Sequence, residues 1–269
     1  MRVSTLASWQ RCPRRTYLST IEGWDTADRN MTAAWVGTVV HAWLAEYYGG
    51  DLMSEVDTDI YEKLFVDDQV MAQAMYTTYV NEVEQEGLDI GSTTVSVENR
   101  LYGTYGGVEI TGMLDRIYYD ELRQGHVVQD HKTVGQFFQT SPVDFQLMTY
   151  ASLARRSGVE NIVAIEHNQI KRNKRTGRAK PPFVNRTWQP TNDHAIDMFE
   201  AQLNILAVNY DDIVAEAQEN QGVESPSVHA HGRNDCSFVC SFSEVCGMLS
   251  TGEDFASVLE TEYIKGSTL

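Results

Sequence analysis

Residues 111–134 read TGMLDRIYYDELRQGHVVQDHKTV, and most of the fold follows from them. Two β-branched and aromatic runs, GVEITGMLDRIYYD (107–120) and HVVQDHKTV (126–134), flank a turn at Gln124-Gly125, which predicts two adjacent strands. Asp130 and Lys132 are two residues apart, so the strand period places both side chains on one face of the sheet. Asp115 lies in the preceding run, across a gap suited to a hairpin that brings the two carboxylates together. Two acids sharing a site repel unless a cation sits between them, and hard oxygen ligands suit Mg²⁺ or Mn²⁺. A lysine beside such an ion can orient a water or offset charge growing on a phosphoryl oxygen. The same residues also read as a turn-opening aspartate and a solvated pair at a strand end.

Working outward, TTVSVENRLYG (93–103) is a further strand ahead of the Tyr105-Gly106-Gly107 turn. Glu98 within it reads as structural. SPVDFQLMTYASLARRSG (141–158) predicts a helix capped by Ser141, with Pro142 in its first position, Asp144 closing a capping box and Gly158 as the stop. Its core stripe is Val143, Leu147, Ala151 and Ala154, which leaves Gln146 on the flank, one turn before Tyr150. NIVAIEHNQI (161–170) is a strand, and PPFVNRTW (181–188) returns as another after a basic window. On the N-terminal side, residues 4–18 are helical, capped by Ser4 or Thr5, with Pro13 starting a fresh turn. Residues 32–48 form a helix with the stripe Val36, Val40, Trp43, Leu44 and Tyr47, and residues 57–86 are a further helical region. Residues 191–220 form a long helix, and 225–250 a weakly structured tail. The order predicts one α/β domain over 1–269: a helical part at 1–90, an α/β core at 91–190, and a C-terminal helix and tail at 191–269.

The 269 residues are 42% apolar and 22% charged, which excludes fibrous and wholly disordered chains. Neither a long apolar run nor an apolar stretch after Arg2 is present in the sequence, so the expectation is a soluble, unexported, cytoplasmic chain without a membrane partner. The net charge of −17 argues at first against a nucleic-acid partner. The distribution changes that reading. Residues 101–192 carry +4 between acidic flanks, and six of the 21 Lys and Arg residues fall in KRNKRTGRAK (171–180), including Lys171, Arg172, Lys174 and Arg175. Arg11, Arg14 and Arg15 form a second basic group. Because screening is strong beyond about 8 Å, such local charge can hold a phosphate backbone on an acidic protein. The window also reads as a solvated hairpin tip.

His41 sits beside its helix's apolar stripe, with Gly37 clearing space one turn earlier. An imidazole there suits Mn²⁺ or softer metals, or a half-buried structural role. The four cysteines are Cys12 and the trio Cys236, Cys240 and Cys246. A clustered trio is poor geometry for two disulfides, and four thiolates suit a [4Fe–4S] cluster or Zn²⁺. If Cys12 joins the trio, the cluster ties together chain segments more than 220 residues apart.

Taken in order, RCPRRTYL, GTVVHAWL, ITGMLDRI, VVQDHKTV, FQLMTYASLA and the terminal cysteine trio resemble the RecB-like branch of the PD-(D/E)xK nuclease superfamily. The resemblance is specifically to its iron–sulfur members, the AddB-like, CRISPR-associated and phage RecB-like exonucleases, and runs from about residue 8 to 246. It implies a restriction-endonuclease-like core, a central mixed sheet flanked by helices, with N- and C-terminal additions joined by a Cys-ligated cluster. It implies a catalytic set of His41, Asp115, Asp130 and Lys132, with His41, Asp115, Asp130 and the main-chain carbonyl of His131 binding Mg²⁺ or Mn²⁺. It implies that Gln146 and Tyr150 contact DNA, and that Cys12, Cys236, Cys240 and Cys246 ligate a [4Fe–4S] cluster. The three-residue spacer between Cys236 and Cys240, where the family has two, keeps Zn²⁺ as the alternative. The expected activity is a metal-dependent DNA exonuclease acting on ends or single strands in recombination, repair or replication, with partner proteins from those processes. Arg11, Arg14, Arg15 and the 171–180 window would follow the backbone. The alternative is a DNA-end-processing subunit of a larger complex with secondary nuclease activity.

Overall fold

The computed structural model describes residues 1–26, 31–50, 55–173, 180–232, 236 and 240–266. In chain order the elements are α1 (Val3–Arg11), α2 (Pro13–Thr16), a π-helical turn (Tyr17–Ile21), β1 (Trp24–Thr26), α3 (Thr32–Tyr47), α4 (Glu55–Lys63) and α5 (Val66–Glu86). There follow β2 (Ser92–Tyr105), β3 (Val108–Asp120), β4 (Gly125–Val134), α6 (Phe145–Arg156), β5 (Ile162–Lys171), β6 (Val184–Pro190) and α7 (Asp193–Glu219). The chain closes with α8 (Ser243–Thr251), α9 (Phe255–Glu262) and β7 (Tyr263–Lys265). Two compact units result, one from Asn30–Gly103 and Thr111–Glu200, the other from Met1–Arg29, Thr104–Ile110 and Ala201–Leu269.

The first unit holds a five-stranded sheet ordered β2-β3-β4-β5-β6. β3 and β4 run antiparallel with Arg116 opposite Gln129, so Asp115 and Asp130 come next in the register. β4 and β5 run parallel, with α6 between them in sequence and Asp130 opposite His167. β5 and β6 return antiparallel, which makes the sheet mixed.

No side chain caps the start of α3. The helix is held by burial: Val36, Val39, Val40 and Leu44 pack with Ala72, Met75, Tyr79 and Val83 of α5 and with Ile170 and Val184 of the sheet. Each such side chain contributes ~1.5–3 kcal/mol when fully buried, well beyond what propensity supplies to a Val-rich helix. Val39 takes a core place where the sequence suggested Trp43 and Tyr47, and both of those are half-buried.

Two boundaries differ from expectation. The region 57–86 is two helices, because Phe65 is extended (φ −61°, ψ 151°) and turns Leu64 into the core. The helix expected from Ser141 begins at Phe145, capped by Asp144, whose carboxylate accepts the Leu147 N–H at 3.0 Å. That charge-assisted bond prevails over the Ser141 hydroxyl, which accepts only the Val143 N–H of the preceding turn. Val143 therefore falls outside the helix and is 72% exposed.

In the second unit α1 buries Val3, Leu6 and Trp9, and Trp9 meets Tyr210 of α7 edge-on at 4.8 Å between ring centroids. The cap position of α1 is Arg2, without a side-chain bond, and Ser4 and Thr5 lie inside the helix. Cys12, extended at φ −162°, separates α1 from α2. The expected weakly structured tail contains α8, and beyond it lie α9, capped by Asp254, and β7, which pairs antiparallel with β1. Among the described residues no helix is long and apolar enough to cross a membrane.

Candidate active site

The sheet unit contains a cavity of about 820 Å³ lined by Gly37 and His41 of α3, Glu98 of β2, Asp115 of β3, Lys132 of β4 and Arg172. Gly37 lets α3 close on β4 here, since a Cβ at this position would lie 2.9 Å from Thr133 Oγ1. His41 Nδ1 stands 3.5 Å from Asp115 Oδ1. Among the described residues, the one grouping of three His, Cys, Asp or Glu ligand atoms within 4.8 Å of one another is His41, Glu98 and Asp115. Glu98 reaches this place from a left-handed backbone, φ +45° inside a strand, a conformation that costs a non-glycine residue about 1 kcal/mol or more. The surrounding sheet holds that strain at the carboxylate facing the imidazole.

Asp130 and Lys132 share a face of β4, as their spacing requires. Lys132 Nζ donates to Asp130 Oδ1 at 3.0 Å and to Gln146 Oε1 at 3.2 Å. Gln146 in turn donates to the Tyr150 hydroxyl at 2.9 Å. Gln146 and Tyr150 thus stand behind the lysine on α6. Asp130 Oδ2 is buried, 2.9 Å from Lys132 Nζ but outside hydrogen-bond alignment, an oxygen left with an open lone pair. Asp115 Oδ2 accepts the main-chain N–H of His131 at 2.5 Å. His41, Glu98 and Asp115 converge on the cavity, while Asp130, not among its lining residues, keeps a buried oxygen without a hydrogen bond beside Lys132. One imidazole with carboxylates fits the hard, mostly oxygen donor set of Mg²⁺ or Mn²⁺.

The carboxylates differ in charge state. Burial favours the neutral acid at Asp115, but His41 and the His131 N–H outweigh it and hold the carboxyl well below its ordinary range. Asp130 is pushed upward by burial, with Lys132 opposing and Asp115 adding to the rise. Burial and the nearby Asp115 charge push Glu98 up to about 7. Burial pulls His41 down, yet Asp115 prevails and the imidazole is raised. Lys132 likewise stays cationic, burial being outweighed by Asp130. Three acids compete for too few cations, the condition a divalent ion relieves.

His131 has an aromatic and polar bed that sequence reasoning missed. Tyr48 stacks on its ring (5.9 Å, 9°), Tyr79 meets it edge-on, and Asn168 Nδ2 donates to its Nδ1 at 2.7 Å. Burial lowers its pKa to about 3, so the ring is neutral. Tyr48 is held by Asp89, which also accepts from Arg186 at 2.7 Å and Arg116 at 3.1 Å. Arg116 lies over the Tyr48 ring, its Cζ 3.8 Å from the centroid. These partners are scattered from residue 48 to 186, and no local pattern marks them. Glu98, read from sequence as structural, comes beside His41 and Asp115 through a positive φ that is invisible in sequence.

Of the basic residues expected to meet DNA, Arg172 lines the 820 Å³ cavity, while the Lys171 Nζ lies 5.7 Å from the Phe137 ring centroid. Lys174 and Arg175 lie outside the described residues. Arg11 is exposed at the end of α1. In the second unit, Arg14 is turned inward, with Nη1 3.5 Å from Cys246 Sγ and 3.2 Å from Ser250 Oγ. Arg15 lines both a 690 Å³ hydroxyl-rich groove and a 220 Å³ cavity. All four cysteines, as free thiols, line that smaller cavity with Leu18, Ala230 and Phe242. Burial raises the Cys240 thiol, Arg15 opposes, and Cys12 and Cys236 add to the rise. The spacer residues 237–239 lie outside the described residues.

A family model described as the PD-(D/E)XK nuclease superfamily matches residues 2–247. No curated protein matches the chain. Among solved structures, one named "Putative exonuclease" from Eubacterium rectale is similar at 12% identity and TM-score 0.54, covering 91% of this chain and 86% of that one. Another, SSO0001, is 14% identical with TM-score 0.38, covering 91% and 85%.

Proposed function

The chain belongs to the PD-(D/E)XK nuclease superfamily, and from that premise we propose that it is a metal-dependent DNA exonuclease, acting on ends or single strands. The observation that carries this reading is the convergence of His41, Glu98 and Asp115 within 4.8 Å in the cavity that Lys132 also lines. His41, Asp115, Asp130 and the His131 carbonyl would hold the ion, and Glu98 joins them as a further carboxylate. A bound Mg²⁺ or Mn²⁺ supplies Lewis acidity, making water a nucleophile near neutral pH and offsetting phosphoryl charge. Lys132, fixed by Asp130 and Gln146, keeps its ammonium protons aimed by two acceptors and serves the attacking water or a phosphoryl oxygen. Gln146 and Tyr150 set the lysine's position, so their effect on DNA passes through Nζ. Arg172, at the cavity wall, would meet a strand phosphate, with Lys171 beside it in sequence.

The four cysteines we read as ligands of a [4Fe–4S] cluster, with Zn²⁺ as the alternative. Support comes from their shared cavity and from Arg14 and Arg15 on its wall, cations that offset thiolate charge. Protein purified without oxygen is expected to be brown and to yield iron and sulfide in near-equal amounts. A colourless preparation holding one zinc would replace the cluster with the ion.

The nuclease reading is tested by one time course on end-labelled single- and double-stranded DNA with Mg²⁺ or Mn²⁺. Wild type is expected to release labelled mononucleotides or short fragments from ends. Asp130→Asn and Lys132→Met should each lower the rate by ~10³-fold or more while DNA affinity stays within a few-fold. Unchanged cleavage in either variant would refute the assignment.

A further inference from the structure

Outside the nuclease cavity, the segment Ser227–His231 holds an arrangement that the chemistry above leaves unused. His229 and His231, separated by Ala230, face each other through their Nε2 atoms at 3.1 Å. Their other ring nitrogens point at carbonyl oxygens: His229 Nδ1 lies 3.2 Å from Ser227 O, and His231 Nδ1 lies 3.1 Å from Arg11 O. The backbone around them is pinned, since the His229 carbonyl accepts the Arg14 N–H at 3.3 Å. Cys236 Sγ lies 3.5 Å from the His231 carbonyl.

A carbonyl can only accept, so each Nδ1 must carry a hydrogen. A neutral imidazole carries one ring hydrogen, and both are then spent on the carbonyls. The two Nε2 atoms are left as bare lone pairs 3.1 Å apart, with the ring planes tilted at 48° to each other. Turning either ring to its other tautomer makes an Nε2–H···Nε2 bond but sets a bare Nδ1 against a carbonyl. Three contacts need three hydrogens and two neutral rings supply two, so the short Nε2···Nε2 contact is satisfied either by a third proton on the pair or by a metal ion that both lone pairs meet.

We propose that His229 and His231 form a binding site for one zinc-like divalent ion, each ligating through Nε2, with solvent completing the coordination. Zn–N bonds of ~2.0–2.1 Å place two ligand nitrogens about 3 Å apart when the N–Zn–N angle is a little over a right angle, which matches the observed 3.1 Å. Metal-bound imidazoles usually donate their remote N–H to a carbonyl or carboxylate, the arrangement found here at both rings. Imidazole nitrogens select Zn²⁺ or Ni²⁺ over the hard ions suited to the carboxylate site. His229 is exposed, so the site opens to solvent and exchanges its ion readily. Ala230, between the ligands, lines the thiol cavity, so the ion would sit beside that cavity without using its sulfurs.

The test is Zn²⁺ binding by the full chain, stripped with a chelator and held in excess Mg²⁺, followed by equilibrium dialysis and by histidine-ring ¹⁵N spectra. The His229→Gln/His231→Gln variant is expected to bind one equivalent fewer than wild type. Cys240→Ser is expected to keep the equivalent that the histidine variant loses. In wild type, Zn²⁺ should shift both Nε2 resonances and leave both Nδ1–H signals in place. Equal stoichiometry in wild type and the histidine variant would overturn the proposal. So would ring spectra in which the two Nε2 atoms share a proton that Zn²⁺ does not displace. If the variant does not fold, as read by circular dichroism, the wild-type spectra decide the question alone.

Discussion

Glu98 shows how much a single backbone angle can contribute to a site. Its sequence context, TTVSVENR, gives a strand residue with no neighbour in need of it. The left-handed φ of +45° sets its carboxylate beside His41 and Asp115, where burial raises it to about 7. Near neutral pH it is therefore divided between two charge states, and a bound divalent ion draws it to the anion. Glu98→Gln is expected to lower cleavage by ~10-fold and to raise the Mn²⁺ concentration for half-maximal rate. Activity against metal concentration reads both, and a variant matching wild type would leave Glu98 with no part in metal binding. The placing of Asp130 and Lys132 on one strand face and of Asp115 on the neighbouring strand was legible, because a two-residue period and a hairpin gap are local facts. Glu98 and the Tyr48–Asp89–Arg186 frame were not, because their roles arise from pairings across the fold.

At the level of elements, α3 and the strands β2, β3 and β4 were legible to within about two residues, since long amphipathic or β-branched runs leave few alternatives. The errors lie where two local signals compete or where none exists. Ser141 and Asp144 each offer a cap, and only bond strength decides between them. β1 and β7 are three residues each and join distant chain segments, so no periodicity marks them. Gly37 was read as clearing space, and the close approach of Thr133 Oγ1 gives that reading its physical content. Gly37→Ala must move α3 or turn the Thr133 side chain, carrying His41 with the helix. We expect turnover to fall by ~10-fold, because displacements well under 1 Å already disturb an aligned reaction. Helix propensity alone would make the same change stabilising by up to ~1 kcal/mol. Urea midpoint and turnover measured together separate the two effects, and a variant more stable and equally active would show that the contact yields freely.

For the molecule as a whole, Asp89 joins the end of α5 to β3 and β6. Burial alone would raise its carboxyl, yet Arg186 and then Arg116 outweigh this and hold it near 2, against an ordinary 3.8. A folded-state pKa below the unfolded value contributes stability that is fully present above about pH 4 and is lost as pH falls through 2. The loss amounts to ~2 kcal/mol over that interval. Urea unfolding of wild type should therefore steepen in its pH dependence below pH ~4, and Asp89→Asn should remove that component. The variant should also be less stable at pH 7, because two buried guanidinium groups lose their shared anion. Parallel pH curves for both proteins would contradict the assignment.

The unit that carries the cysteines gathers its residues from both the first 29 and the last 69 positions of the chain. A ribosome reading ~5–20 residues per second needs roughly 10–45 s to travel from Cys12 to Cys236. For most of that interval the first thiol has left the exit tunnel while the other three have not been translated. An ion or cluster held by all four thiols would therefore be installed only once the last of them has been made, on a polypeptide whose sheet-bearing segment is already complete.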